Sequence, residues 1–209
     1  MAYFPMFMNI EKKRCLVAGG GMVAYRKVLV LLDFGAEVTV VAPQVEQEIK
    51  SIKNITICQR EFKKEDLDGC VLAVAATSDR EFNHRFAELA KAKGIAVNAV
   101  DQKEDCTFIF PSYIKERNLV GAFSSGGNSP LLTQYLKHVL SGVLTGELGA
   151  VGEYMGSIRE TVKSQVADEN MRKQVYQNIL KKLLAQNKRE LGKEELYDLI
   201  AEIKNENIK

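Results

Sequence analysis

Apolar positions along the chain change period in a regular way. Cys15-Leu16-Val17-Ala18 is a short unbroken apolar run, as expected of a strand buried on both faces. The stretch after it places Val23, Ala24, Val28, Leu29, Leu31 and Leu32 at helical spacing. The alternation then repeats, predicting strands at 14–18, 37–42, 55–60, 70–75 and 95–100. Thr77-Ser78-Asp79 caps a helix in which Phe82, Phe86, Leu89 and Ala90 share a face, and Gly94 ends it. A short helix over 43–50 and a loop with a short turn from Phe62 to Gly69 complete this part. Strand and helix in strict alternation predict an α/β fold with a doubly wound parallel sheet.

After Asp101 the pattern changes. Thr107-Phe108-Ile109-Phe110 and Leu119-Val120-Gly121-Ala122-Phe123 read as two short strands around the polar Lys115-Glu116-Arg117-Asn118, which predicts a hairpin extension. Ser124-Ser125-Gly126-Gly127-Asn128 reads as a turn of small residues. Ser129 follows as N-cap, with Pro130 at the first helical position. In the next helix Leu131, Leu132, Tyr135, Leu136, Val139 and Leu140 share a face that needs a partner, either the chain's own sheet or a second subunit. From about Ile158 to Lys209 the pattern is helical throughout. Val175, Ile179, Leu180, Leu183 and Leu184 form one stripe, Leu191-Gly192 a break, and Leu196, Leu199, Ile200 and Ile203 another.

At 209 residues and 46% hydrophobic content the chain can bury a full domain core and an appendage. Its formal net charge of +2, with both signs interspersed, disfavours nucleic acid and acidic membrane surfaces as partners. Cys15, Cys58, Cys70 and Cys106 lie far apart with no C-x-x-C pair, which points to reduced, buried thiols. Met1 to Ile10 is apolar but short and lacks a basic leader, and no run has the length of a membrane span, so a cytoplasmic protein is expected.

The candidate chemistry begins where the first strand meets its helix. Gly19-x-Gly21-x-x-Ala24 has the G-x-G-x-x-A form of the Rossmann dinucleotide fingerprint, with Gly20 between the outer glycines. One glycine serves the tight turn, another the approach of backbone to a diphosphate, and Ala24 the close packing of helix on strand. A glycine triplet also occurs in plain turns, and it is the strand before and helix after that favour the nucleotide. The acid that holds a ribose in this fold should follow the second strand, about 20 residues after the motif. Ala42-Pro43-Gln44 stands there instead, with no arginine for a 2′-phosphate either. Asp101 directly follows the fifth strand, at the sheet end where ligands gather, although a lone loop acid also reads as solvated. Ser124, Ser125 and Gly126 offer donors at a helix start, or simply a loop and cap. His84 and His138 are isolated on separate predicted helices, so no metal site is expected. Arg26 and Lys27 read as solvated helix charges.

Several segments together resemble the dehydrogenase and chelatase domain of siroheme synthases, which also occurs free-standing as precorrin-2 dehydrogenase. They are Phe4-Pro5-Met6-Phe7, Cys15 to Lys27, Val41-Ala42-Pro43, Ala75-Ala76-Thr77, Asn98-Ala99-Val100-Asp101, Phe108-Ile109-Phe110-Pro111-Ser112 and Ser124-Ser125-Gly126-Gly127-Asn128-Ser129-Pro130, spread over roughly residues 1–145. The resemblance implies NAD as cofactor, although the ribose acid is missing, with Gly19, Gly20, Gly21, Met22, Val23, Pro43, Gln44 and Thr77 around it. It implies oxidation of precorrin-2 to sirohydrochlorin, with Asp101 as general base and Ser124, Ser125, Gly126 and Arg117 facing the polycarboxylate substrate. It also implies a homodimer. The expected division is an NAD-binding domain over 1–113, a dimerisation and substrate-binding segment over 114–146, and a helical domain over 147–209. Ferrous iron as a second substrate, inserted into sirohydrochlorin, stays open, because the tail beyond about 150 carries no matching motif. The methyltransferase domain of the fused enzymes is not matched, so uroporphyrinogen methylation is not expected. A non-catalytic NAD-sensing module is the alternative from another class. A short-chain type of dehydrogenase is disfavoured by the lack of a Tyr-x-x-x-Lys pair.

Overall fold

The apolar run Cys15–Ala18 is wholly buried because β1 (Arg14–Ala18) runs through the centre of a parallel sheet. The computed structural model describes residues 3–206. β2 (Glu37–Val41), β3 (Thr56–Cys58), β4 (Cys70–Ala75) and β5 (Ala96–Ala99) complete a five-stranded sheet of order β3-β2-β1-β4-β5 with every pairing parallel. The expected Rossmann-type architecture is therefore the observed one.

Helices cover the sheet on both faces. α1 (Met22–Asp33) buries Ala24, Val28 and Leu31 against Cys15, Val17, Val38 and Val40. Val23 and Leu29, on the face predicted to be apolar, stand 42% exposed each, so the packed stripe is narrower than the composition implied. α3 (Arg80–Ala92) packs the other face through Phe86, Ala87 and Ala90, and Asp79 caps it by accepting from the Phe82 N–H at 2.9 Å. Leu89 is exposed, and the buried face of the helix takes in Asn83 instead. The helix expected over 43–50 is a single turn, α2 (Gln47–Lys50), and Phe62–Gly69 holds a 3-10 turn at Lys64–Leu67.

The chain divides into two compact units, one ending at Phe110 and the other running from Pro111. In the second, β6 (Ser112–Glu116) pairs antiparallel with β7 (Leu119–Phe123) through a turn at Arg117-Asn118, where Arg117 takes φ 57°. The hairpin is as expected, but its first strand is not Thr107–Phe110. That segment is bound to β5: the Thr107 N–H donates to the Val97 carbonyl at 2.8 Å, and the Asn98 amide donates to the Phe108 carbonyl at 3.1 Å. With these groups spent on the sheet edge, the polar-looking Lys115-Glu116 enters the hairpin strand instead.

α4 (Pro130–Ser141) starts at the Ser129 cap with Pro130 in its first turn, as read from sequence. α5 (Gly146–Ser157), α6 (Arg159–Gln165), α7 (Glu169–Gln186) and α8 (Lys193–Glu206) follow. Val151, Val162, Val175, Ile179, Leu183, Leu196, Leu199 and Ile203 form their shared core. Gly149 lets α5 lie against the hairpin, because a Cβ there would come 2.5 Å from the Glu116 carbonyl oxygen. The helical stretch expected to reach Lys209 is described as far as Glu206, and its last three residues lie outside the described residues.

The α7 stripe makes a clean test of this packing. Leu183 is fully buried whereas Leu184 is 55% exposed. Leu183→Ala should cost about 2–5 kcal/mol in urea unfolding, and Leu184→Ala about 0.5 kcal/mol or less.

Candidate functional site

Three loops meet at the carboxyl ends of β1, β2 and β4, and the glycine loop lies between the other two. Gly19 adopts φ 132°, a region that L side chains rarely enter, and its N–H donates to the Val41 carbonyl at 3.0 Å. A Cβ on Gly19 would lie 2.3 Å from the Ala76 oxygen, and one on Gly20 would lie 2.0 Å from the Gln44 oxygen. The Glu46 N–H also donates to the Gly20 carbonyl at 2.8 Å. Gly21 differs. A Cβ there would meet nothing within 4 Å, so its bareness serves no packing within this unit.

Gly21 is also the N-cap of α1, with no side chain capping the helix and no acidic residue in its first turn. The first-turn N–H groups, with the positive end of the helix dipole behind them, therefore open onto the space beside Gly21. Uncapped donors, a bare cradle and closely packed Ala24 fit a dinucleotide diphosphate. Met22 and Val23 lie half-exposed at this helix start. Pro43 and Gln44 are exposed at the end of β2, and the Gln44 backbone abuts the glycine loop.

Thr77 follows β4 and is held by a residue the sequence pattern overlooked. Asn83 is 1% exposed, its amide donates to the Thr77 carbonyl at 3.0 Å, and its Oδ1 accepts from the Thr77 hydroxyl at 2.8 Å. The available signal was spacing: Asn83 shares the i, i+3, i+4, i+7 stripe with Phe86, Ala87 and Ala90, where a polar residue must find buried partners.

Asp101 lies exposed in the turn after β5, at the same sheet end, with φ 59°. Aspartate tolerates this left-handed conformation better than most residues. The turn is tied to the sheet by the Val100 N–H, which donates to the Ala75 carbonyl at 2.9 Å. Lys27, expected as a solvated charge, is half-buried with its Nζ 4.0 Å from the Phe110 ring centroid. Burial pushes its amine below the ordinary lysine range, and the nearby Cys106 and Asp101 groups partly oppose that shift.

His84, which the sequence left isolated, is paired. Its Nδ1 lies 2.7 Å from the buried Asp105 carboxylate. Three thiols are unsuited to nucleophilic chemistry: burial drives Cys15 up to about 12 and also raises Cys70 and Cys106. Cys15 and Cys70 are buried, as expected, while Cys58 and Cys106 are only half-buried. Among the described residues, no group of three or more His, Cys, Asp or Glu is placed to hold a metal ion, and no helix is long and apolar enough to cross a membrane.

The remaining candidates lie in the second unit. The Ser125 hydroxyl accepts from the Ser129 N–H at 2.9 Å and donates to the Ser129 carbonyl at 3.1 Å, while Ser124 accepts from the Gly126 N–H at 3.1 Å. Gly126 and Gly127 both take positive φ, 64° and 84°, which makes a tight turn before α4. The structure does not bring Arg117 to this turn. It sits at the other end of β7, roughly 20 Å away at strand rise, and its guanidinium pairs with Glu153 at 2.8 Å.

Residues 6–112 match a protein family described as "Putative NAD(P)-binding". The chain is similar to the siroheme synthase of Nitrosococcus oceani, 34% identical over 189 residues that take in 89% of this chain and 40% of that protein. It is 39% identical over 183 residues to siroheme synthase 3 of Aeromonas hydrophila, taking in 86% of this chain and 39% of that one. The chain thus spans about two fifths of the length of these relatives. Among solved structures, SirC, a precorrin-2 dehydrogenase, shares the fold with a TM-score of 0.78 over 97% of this chain and 100% of that chain, at 23% sequence identity.

The different surroundings of the glycines separate folding from binding. Gly21→Ala should leave the thermal midpoint within a few degrees of wild type and weaken NAD by about tenfold or more in a fluorescence titration, since its methyl group enters only the ligand's space. Gly20→Ala, which drives a Cβ into the Gln44 carbonyl, should lower both stability and affinity.

Proposed function

The chain belongs to the NAD(P)-binding family that residues 6–112 match, and on that premise we propose that it is an NAD-dependent precorrin-2 dehydrogenase of siroheme synthesis, acting in the cytoplasm. One observation carries this reading: an open glycine cradle and the Asp101 carboxylate lie at the carboxyl end of a single sheet. The likeness to siroheme synthases over 89% of the chain supports the choice of substrate. Ala42-Pro43-Gln44, with no cation for a 2′-phosphate, supports NAD over NADP.

Gly19, Gly20 and Gly21 with the first turn of α1 hold the diphosphate, and Met22, Val23, Pro43, Gln44 and Thr77 surround the nucleotide. When bound, the nicotinamide supplies the acceptor for one hydrogen and its electron pair. The second hydrogen leaves precorrin-2 as a proton, and Asp101 receives it. An exposed carboxylate at the strand end can take a proton from a ring positioned within hydrogen-bond reach and release it to water. Ser124, Ser125 and Gly126 supply donors for the carboxylates of precorrin-2 and its product sirohydrochlorin, whereas Arg117, paired with Glu153 at the far end of β7, lies apart from that turn. The same aspartate would accept pyrrole protons as ferrous iron, a second substrate, enters sirohydrochlorin. A regulatory NAD sensor would need no carboxylate at this place.

The second unit also presents an apolar face. Leu131, Leu132, Tyr135 and Val139 of α4 and Val143 just beyond it are all exposed. Apolar residues in such a row on one helix favour a second copy of the chain as partner.

Asp101→Asn keeps a residue that tolerates left-handed φ and removes the base. NAD affinity should stay within about twofold, while NADH formation from precorrin-2 falls about 100-fold or more. Full turnover by this variant would point to another base, and NAD binding without turnover in the wild-type chain would point to the sensor. Anaerobic addition of ferrous iron to the product, followed by the siroheme spectrum against a protein-free control, tests the second activity. Leu132→Glu with Tyr135→Glu should convert a dimer to a monomer in sedimentation equilibrium and leave NAD affinity unchanged.

A further inference from the structure

We propose that His84, Gln102 and Asp105 form a clasp that positions Asp101, with His84 acting on turnover through Asp105 and without touching substrate. The inference rests on Asp101 as the base.

Among the described residues no hydrogen bond aims the Asp101 side chain, so its direction depends on the backbone on either side, with the Lys27 ammonium nearby. Before it, Val100 is bound to Ala75. After it, the Gln102 N–H donates to the Ala99 carbonyl at 3.3 Å, which closes the turn. The Gln102 side chain points inward, 5% exposed, and its amide donates to both the Arg80 carbonyl and the Asp105 carboxylate at 3.0 Å. Asp105 is itself buried, and its other oxygen meets His84 Nδ1 at 2.7 Å. A carboxylate only accepts, so Nδ1 is the protonated nitrogen. Arg80 and His84 are one turn apart on α3, so the loop is fastened at two successive turns of the helix that also pins Thr77 through Asn83.

The energetics give His84 its weight. A buried carboxylate must keep its donors or draw in water, so losing one partner is costly. Lys91 is the weaker partner of the same carboxylate, its Nζ 3.9 Å from Asp105 and 3.0 Å from Glu88. The Gln102 Oε1 has no partner among the described residues, so the network is not the one stability alone would select. Released from His84, the Asp105 turn shifts, and Asp101 moves with it. A displacement of about 1 Å at a reacting group can cost up to 100-fold in rate. The His84 side chain is 57% exposed, so replacing it leaves the core packing in place.

The test compares His84→Ala, His84→Asn and Asp105→Asn with Asp101→Asn, measuring NAD affinity, thermal midpoint and the kcat of NADH formation from precorrin-2. His84→Ala should lower kcat about tenfold or more with NAD affinity within about twofold of wild type. His84→Asn, which carries an amide N–H close to the place of Nδ1, should recover most of the loss. Asp105→Asn should repeat the kcat loss if His84→Ala proves poorly folded. Wild-type kcat in His84→Ala beside an inactive Asp101→Asn overturns the clasp alone. Equal losses in the alanine and asparagine variants, accompanied by weaker NAD binding, overturn it in favour of a structural role. Full turnover in Asp101→Asn removes the base assignment, and the clasp's role falls with it.

Discussion

Backbone packed against backbone at Gly19 and Gly20 is the constraint on which the site depends. The Ala76 and Gln44 carbonyls occupy the space where side chains would otherwise project, so the turn after β1 is pressed between the loops after β4 and β2. Hydrogen bonds from Gly19 to Val41, from Ala76 to Ala18 and from Glu46 to Gly20 fasten the three loops together. That fastening leaves open the space where a Gly21 side chain would project and turns the uncapped start of α1 toward the same opening. The helix end goes without the cap that would stabilise it and offers its donors to a ligand instead.

The same sheet end carries a second kind of restraint, made of side chains. Asn83, Asn98, Gln102 and Asp105 are the buried polar residues among the described residues of this unit, and each one binds the backbone or side chains of the loops around Thr77 and Asp101. Elsewhere the sheet is held by apolar side chains, mostly Val, Leu and Ala with Ile, Phe86, Cys15 and Cys70. Polar groups are buried where loop position matters and apolar groups where bulk cohesion suffices, in keeping with what each costs to bury. Cys106 belongs to the first set: its sulfur lies within 3.1–3.3 Å of Ala99 and Gln102 backbone atoms, so it acts as a small polar plug with a suppressed thiolate.

In the second unit the helices solve a different problem. Their core is a single apolar cluster with Ile179, Leu183 and Val162 at its centre, and it leaves the α4 face bare. A helix that packs its own unit sparsely while exposing leucine and tyrosine to solvent is suited to association.

The order of strands and helices, the cap at Ser129-Pro130 and the glycine fingerprint were legible in the sequence, because each depends on local spacing and backbone preference. Asp101 was legible for the same reason, standing next to a strand end. What the sequence could not supply was every relation set by distant residues. Thr107–Phe110 has the composition of a hairpin strand, and only its hydrogen bonds to Val97 and Asn98 take it away from β7. Leu89 and Asn83 exchange the burial their chemistry suggests, because the sheet decides which side of α3 is covered. His84 looked isolated because its partner lies 21 residues away. Local pattern thus determined which elements form and where a phosphate could be cradled. Tertiary structure decided which side chains pair beneath the loops at that sheet end, since a buried hydrogen bond is specified by three-dimensional proximity that no short window of sequence contains.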